Sequence, residues 1–130
     1  MHRRFEGAQT AELRCPGGAS GAVVAKGFRL RLLGLMRLAP DEMEPLLFER
    51  CRSIHTHGMK TALDLVWLES DGEGARVLEV VEELQPGRHA RAPRGASRRC
   101  AALELAPGRA EALGLAKGAG LEMRMASDYR

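Results

Sequence analysis

Aromatic side chains make up 4% of this chain, and its three cysteines stand far apart. With Trp67, Tyr129 and three phenylalanines as its whole aromatic content, a core must be packed from aliphatic side chains, and nucleobases find no stacking platform. Cys15, Cys51 and Cys100 are odd in number and form no C-x-x-C pair, which argues against a zinc ribbon and against a disulfide framework. No run approaches the roughly 18 consecutive apolar residues that span a bilayer. The N-terminus has no apolar core with a cleavage site of the secretory kind. The expectation is a cytoplasmic protein with no membrane segment. Gly17-Gly18 and Gly118 to Gly120 match no dinucleotide or nucleotide loop, so no cofactor is expected.

What the chain does have is a hydrophobic content of 45% over 130 residues, enough for one domain with a real core. Twenty basic against seventeen acidic residues give a net charge of +3, too mild to imply a nucleic-acid partner. The most distinctive stretch is Leu46 to Trp67, which sets Cys51, His55, His57, Met59 and Asp64 among apolar neighbours. In an extended strand, Ser53, His55, His57 and Met59 share one face, and Ile54 and Thr56 the other. In Leu63 to Leu68 five of six residues are apolar, the mark of a strand covered on both faces. Asp64 is thereby expected to be buried and hydrogen-bonded or paired, as an anchor or as a site residue.

Residues 1–21, with a Pro16-Gly17-Gly18 break and no sustained periodicity, read as a loosely ordered lead-in to a single globular domain over 22–126. Residues 127–130 read as a frayed tail. Strands are predicted at Ala22 to Ala25, Leu46 to Phe48, Leu63 to Leu68, Arg76 to Leu84, Ala101 to Leu105 and Leu121 to Met125. An Asp71-Gly72 hairpin joins the third to the fourth. Gly27 to Leu38 fits either a strand or a helix by its apolar spacing. Gln85 to Arg99 reads as an Arg-rich loop carrying Arg88 and Arg91. A helical turn from about Arg109 to Leu113 is expected to end at Gly114. Short connections and few helices point to an α+β fold, a mainly antiparallel, barrel-like sheet with one or two short helices.

Several short segments, in order, resemble those of the uncharacterised domain-of-unknown-function family 192. They are Gly34-Leu35-Met36, Leu46-Leu47-Phe48, Cys51-Arg52-Ser53-Ile54-His55-Thr56-His57-Gly58-Met59 and Leu63-Asp64, followed by Leu103-Glu104-Leu105, Gly108 with Ala110, and Leu113-Gly114-Leu115 through Gly118. The resemblance covers about residues 22 to 125. It implies a compact, mainly antiparallel β domain with no established activity, and it makes Gly27 to Leu38 a short helix. The chain departs from relatives at His57, where they are usually aromatic or hydrophobic, and at Ala119, where they usually carry an acid.

The leading functional reading is a binding module, leaning away from an enzyme. Its polar pocket uses His55, Thr56, Met59 and Asp64, with Cys51 nearby and Arg88 or Arg91 above it, for a small polar or anionic ligand. One alternative is an enzyme with His55 as general base oriented by Asp64 from the next strand. Another is a soft-metal site for Cu or Zn at His55 and His57, whose stems on one strand face stand about 6.6 Å apart. A dyad of Cys51 and His55 requires the chain to turn between them, since four extended residues span about 13 Å. A structural or partner-binding protein is the remaining reading. Convergent imidazoles, a His55–Asp64 hydrogen bond and a concave site are the geometric features that separate these.

Overall fold

A computed structural model describes residues 2–27, 31, 33–72 and 74–126. Seven strands close into a barrel. They are β1 (Thr10–Cys15), β2 (Gly18–Val24), β3 (Leu46–Phe48), β5 (Leu63–Ser70), β6 (Gly74–Leu84), β8 (Cys100–Leu105) and β9 (Gly120–Met125). Their order around the barrel is β1-β2-β3-β8-β5-β6-β9. Every pairing is antiparallel except that of β2 with β3, where Val23 lies beside Leu46 and Val24 beside Leu47. Outside the barrel, β4 (Ser53–His55) and β7 (His89–Arg91) form a separate two-stranded ribbon. The expected α+β barrel is therefore present, with a short helix, α1 (Arg109–Ala112), and two 3-10 turns among the described residues, and with Gly27, Arg31 and Leu33 helical before β3.

Alternation along the strands divides the apolar side chains between two cores. Leu13, Val24, Leu47, Val66, Leu68, Val77, Leu103 and Leu105 point into the barrel, and α1 closes one end with Ala110, Leu113 and Leu115. The alternate residues Val23, Leu46, Phe48, Leu63, Leu65, Trp67, Cys100 and Ala102 point outward into a second cluster. That outer face is covered by Phe5, Leu35, Leu38, Met43, Cys51 and Ile54. Strands β5 and β8 accordingly lie between two apolar layers, and all six residues of β8 are buried.

Three expectations change. Residues 1–21 are no loose lead-in: β1 pairs with both β2 and β9, Phe5 is fully buried, and Arg4 holds the turn at residues 34–36 through its guanidinium. With only Ala11 and Leu13 facing inward, β1 has too few apolar residues to announce itself before its partners are known. The loop predicted from Gln85 to Arg99 contains β7, whose three residues are too short for a periodic signal. The extended run from Ser53 to Met59 stops at His55, because Gly58 turns the chain with a φ of 81°. The expected helix from Gly27 to Leu38 is present in part: Gly27, Arg31 and Leu33 are helical, other positions of that stretch lie outside the described residues, and residues 34–37 are a turn. The tail at 127–130 also lies outside the described residues.

Candidate functional site

Two carboxylates are carried into buried positions on opposite faces of the barrel wall, Asp64 inward and Glu104 outward, and their fates differ. Asp64 on β5 is 0% exposed. Its Oδ1 accepts from the Glu83 N–H at 3.0 Å. Its Oδ2 accepts from the Gly108 N–H at 3.0 Å and the Ala110 N–H at 3.2 Å. Glu83 has a φ of 53° and lies where β6 bulges against β5, so one side chain pins a bulge and the start of α1 together. Asp64 is an anchor of the fold. It makes no hydrogen bond to His55 and does not line the cavity described below, so the expected His55–Asp64 pair is not formed.

Glu104, two strand positions on from Ala102 and facing outward like it, is 4% exposed. Its strand neighbours are Leu46 on one side and Leu65 on the other. The carboxyl has no hydrogen-bond or ion-pair partner among the described residues. Burial alone pushes its pKa from 4.5 to about 8, which keeps it a neutral acid at pH 7. No fully enclosed side-chain nitrogen or oxygen among the described residues lacks a partner, so the Glu104 carboxyl reaches accessible space. That space is a cavity of ≈ 120 Å³ between the barrel wall and the covering layer.

Residues from three segments wall the cavity. The turn at residues 33–36 contributes Leu33, Gly34, Leu35 and Met36, and Phe48 comes from the end of β3. The third segment supplies Cys51, Ser53, Ile54, His55, His57 and Met59. Arg31 stands at the mouth with its guanidinium 5.8 Å from the centre of the Phe48 ring. Gly58 seats the third segment against the first, since a Cβ there would lie 2.6 Å from Met36 Cγ and its carbonyl accepts from the Arg37 N–H at 3.0 Å. His55 and His57 are exposed at the rim, with ring centres 5.3 Å apart. That spacing brings the imidazoles side by side, although no three His, Cys, Asp or Glu side chains among the described residues group as metal ligands.

Of the residues expected to form the site, the structure thus brings Cys51, His55, His57 and Met59 together. Thr56 points the other way and is fully buried. Its hydroxyl donates to the Gln85 carbonyl at 2.6 Å and accepts from the Arg88 N–H at 2.8 Å, fastening the turn before β7. The Arg88 and Arg91 side chains are exposed and do not line the cavity; Arg31 takes the place expected of them. Cys51 donates from its thiol to the Ser53 carbonyl at 3.2 Å, and burial raises its pKa. A protonated, hydrogen-bonded thiol is a poor nucleophile, which weighs against a Cys51–His55 dyad.

Sequence reasoning missed Glu104, Arg31 and Met36 as site residues. Glu104 had a usable signal: an acid between Leu103 and Leu105 in an apolar strand demands a partner by the argument applied to Asp64.

The fold is shared with two solved structures. A Sinorhizobium meliloti 1021 protein, assigned provisionally as a transcription regulator, superposes with a TM-score of 0.64 at 24% identity, covering 88% of this chain and 92% of that one. A Novosphingobium aromaticivorans DSM 12444 protein of unknown function gives 0.65 at 19% identity, covering 94% and 97%. At these identities the likeness is one of fold. No curated protein matches the chain. Residues 13–123 match the model of DUF192, described as Uncharacterized ACR, and the chain belongs to that family.

Proposed function

We propose that the protein is a small-ligand binding module whose site is the cavity on the outer wall of the barrel, with Glu104 as its floor. The observation that carries this reading is the buried carboxyl with no partner among the described residues. Such a group costs stability, and a purely structural strand would be better served by an apolar residue there. A perturbed acid in a concave site that mixes polar groups with apolar walls is a common mark of a functional site. The enzyme reading loses support because the expected His55–Asp64 pair is absent and the Cys51 thiol is held neutral.

The setting we propose is cytoplasmic. All three cysteines are free thiols, which suits a reducing compartment. No helix among the described residues is long and apolar enough to cross a membrane. Exposed arginines from Arg88 to Arg99 have no interleaved aromatic residue, so a nucleic-acid role finds no support there.

Methionine-methyl NMR tests the proposal directly, because Met36 and Met59 both border the cavity. A panel of small polar fragments is expected to shift these two signals while leaving Met123 unmoved, and Glu104→Leu is expected to abolish the shifts in a folded protein. Fragments that move neither methyl group, or that bind Glu104→Leu as well as the parent, refute the reading.

A further inference from the structure

Resting on that reading, we propose that the ligand is a small monocarboxylate, one oxygen of which accepts a hydrogen bond from the Glu104 carboxyl while its short tail lies against Leu35, Phe48 and Ile54. The volume sets the size. A cavity of ≈ 120 Å³ has room for a molecule the size of propionate. Charge sets the sign. Among the described residues Glu104 is the one acid lining the cavity, whereas Arg31, His55 and His57 stand at its mouth. An incoming cation meets a guanidinium at the entrance and needs an ionised acid on the floor. A neutral amide uses the floor and gains nothing from the rim. An anion uses both, and a carboxylic acid donating to a carboxylate forms a charge-assisted bond about twice as strong as a neutral one.

The assignment ties affinity to the protonation of Glu104. Among the described residues, the titratable and charged groups facing it are Arg31 from the covering segment, Cys51 after β3, His55 at the end of β4 and His57 beyond it; its strand neighbours Leu46 and Leu65 are uncharged. With a pKa of about 8, the neutral fraction falls from about nine-tenths at pH 7 to about one-tenth at pH 9. Propionate affinity is therefore expected to drop about tenfold over that range. Glu104→Gln retains a donor that does not titrate and shares every other group, so its profile isolates the contribution of Glu104.

The decisive experiment titrates the full chain with sodium propionate, propionamide and propylamine at pH 7 and pH 9, read by the Met36 and Met59 methyl signals. Propionate is expected to bind tightest at pH 7 and to lose about tenfold at pH 9. Glu104→Gln should bind at both pH values with at most a small change, and Arg31→Met should weaken binding chiefly at low salt. Tighter binding of propionamide or propylamine overturns the carboxylate and leaves the cavity standing. A wild-type pH profile that matches that of Glu104→Gln also overturns it. If none of the three probes shifts the methyl signals, the carboxylate is refuted, and the fragment panel decides the cavity on its own.

Discussion

Replacing Glu104 by Gln keeps the size and polarity of the side chain and removes its titration. Its folded pKa is raised from 4.5 to about 8, so the folded protein binds this proton more tightly than the unfolded chain does. The sign follows: the contribution to stability is full below the unfolded value of 4.5, is lost as pH rises, and is gone above about 8. Each pKa unit is worth about 1.4 kcal/mol, so burying Glu104 costs wild type about 3 kcal/mol at pH 7, where the unfolded chain has lost the proton that the fold retains, and about 5 kcal/mol well above pH 8, where the buried group ionises. Glu104→Gln should accordingly match wild type near pH 4.5 and exceed it by about 3 kcal/mol at pH 7, or about 10 °C in Tm for a domain of this size. Urea unfolding of both proteins from pH 5 to pH 9 measures the difference directly. Every other titrating group is common to the two proteins and cancels. Parallel curves, with a constant gap across that range, would refute the reasoning and place Glu104 in contact with water or a partner that lets it ionise freely.

Other changes test the frame around the cavity. Asp64→Asn leaves one acceptor oxygen for three backbone N–H donors and should cost about 3 kcal/mol by thermal unfolding, with no loss of ligand affinity in the folded fraction. A selective loss of binding would restore Asp64 to the site. Gly58→Ala forces a side chain into a positive φ and against Met36, and should destabilise by about 2 kcal/mol. Adding Met36→Ala should recover the steric part and leave the backbone part, a non-additivity readable in a double-mutant cycle. Elemental analysis of untagged protein, purified reduced and without chelator, is expected to find substoichiometric copper and zinc, since His55 and His57 have no third ligand of the usual kinds among the described residues. Stoichiometric metal lost in a His55→Ala, His57→Ala variant would reverse that expectation.

Local patterns carried most of the fold into the sequence. Strands β5 and β8 are apolar runs bounded by turn residues, and Asp71 accepts from the Gly74 N–H at 2.8 Å in the hairpin its neighbour Gly72 announced. Strand β1 was illegible because it has few inward apolar residues and, although β2 follows it across Pro16-Gly17, its other partner β9 comes from the far end of the chain. The site was half legible. Cys51, His55, His57 and Met59 are near in sequence and remain near in space. Thr56 and Asp64 belong to the same stretch, but face backbone groups at 83–88 and 108–110 whose approach is a matter of topology. Glu104 and Arg31 reach the cavity from distant segments, and no local period relates them to His55.

The division between the two cores also explains why the site lies on the barrel wall. Leucines and valines fill the interior, and α1 closes one end, so the middle of the barrel is packed against itself. The outer face of β3, β5 and β8 is covered by turns and a three-residue strand, segments with few backbone hydrogen bonds of their own. Elements of that kind leave gaps that two packed strands do not. A charged residue introduced on the inward face of β8 would meet only side chains, whereas one on its outward face meets a layer that can part around a ligand. Moving the acid one residue along, as in Glu104→Leu with Leu103→Glu, should therefore destabilise far more than Glu104 itself does. The same side chain then has neither a backbone donor like those of Asp64 nor a cavity to face.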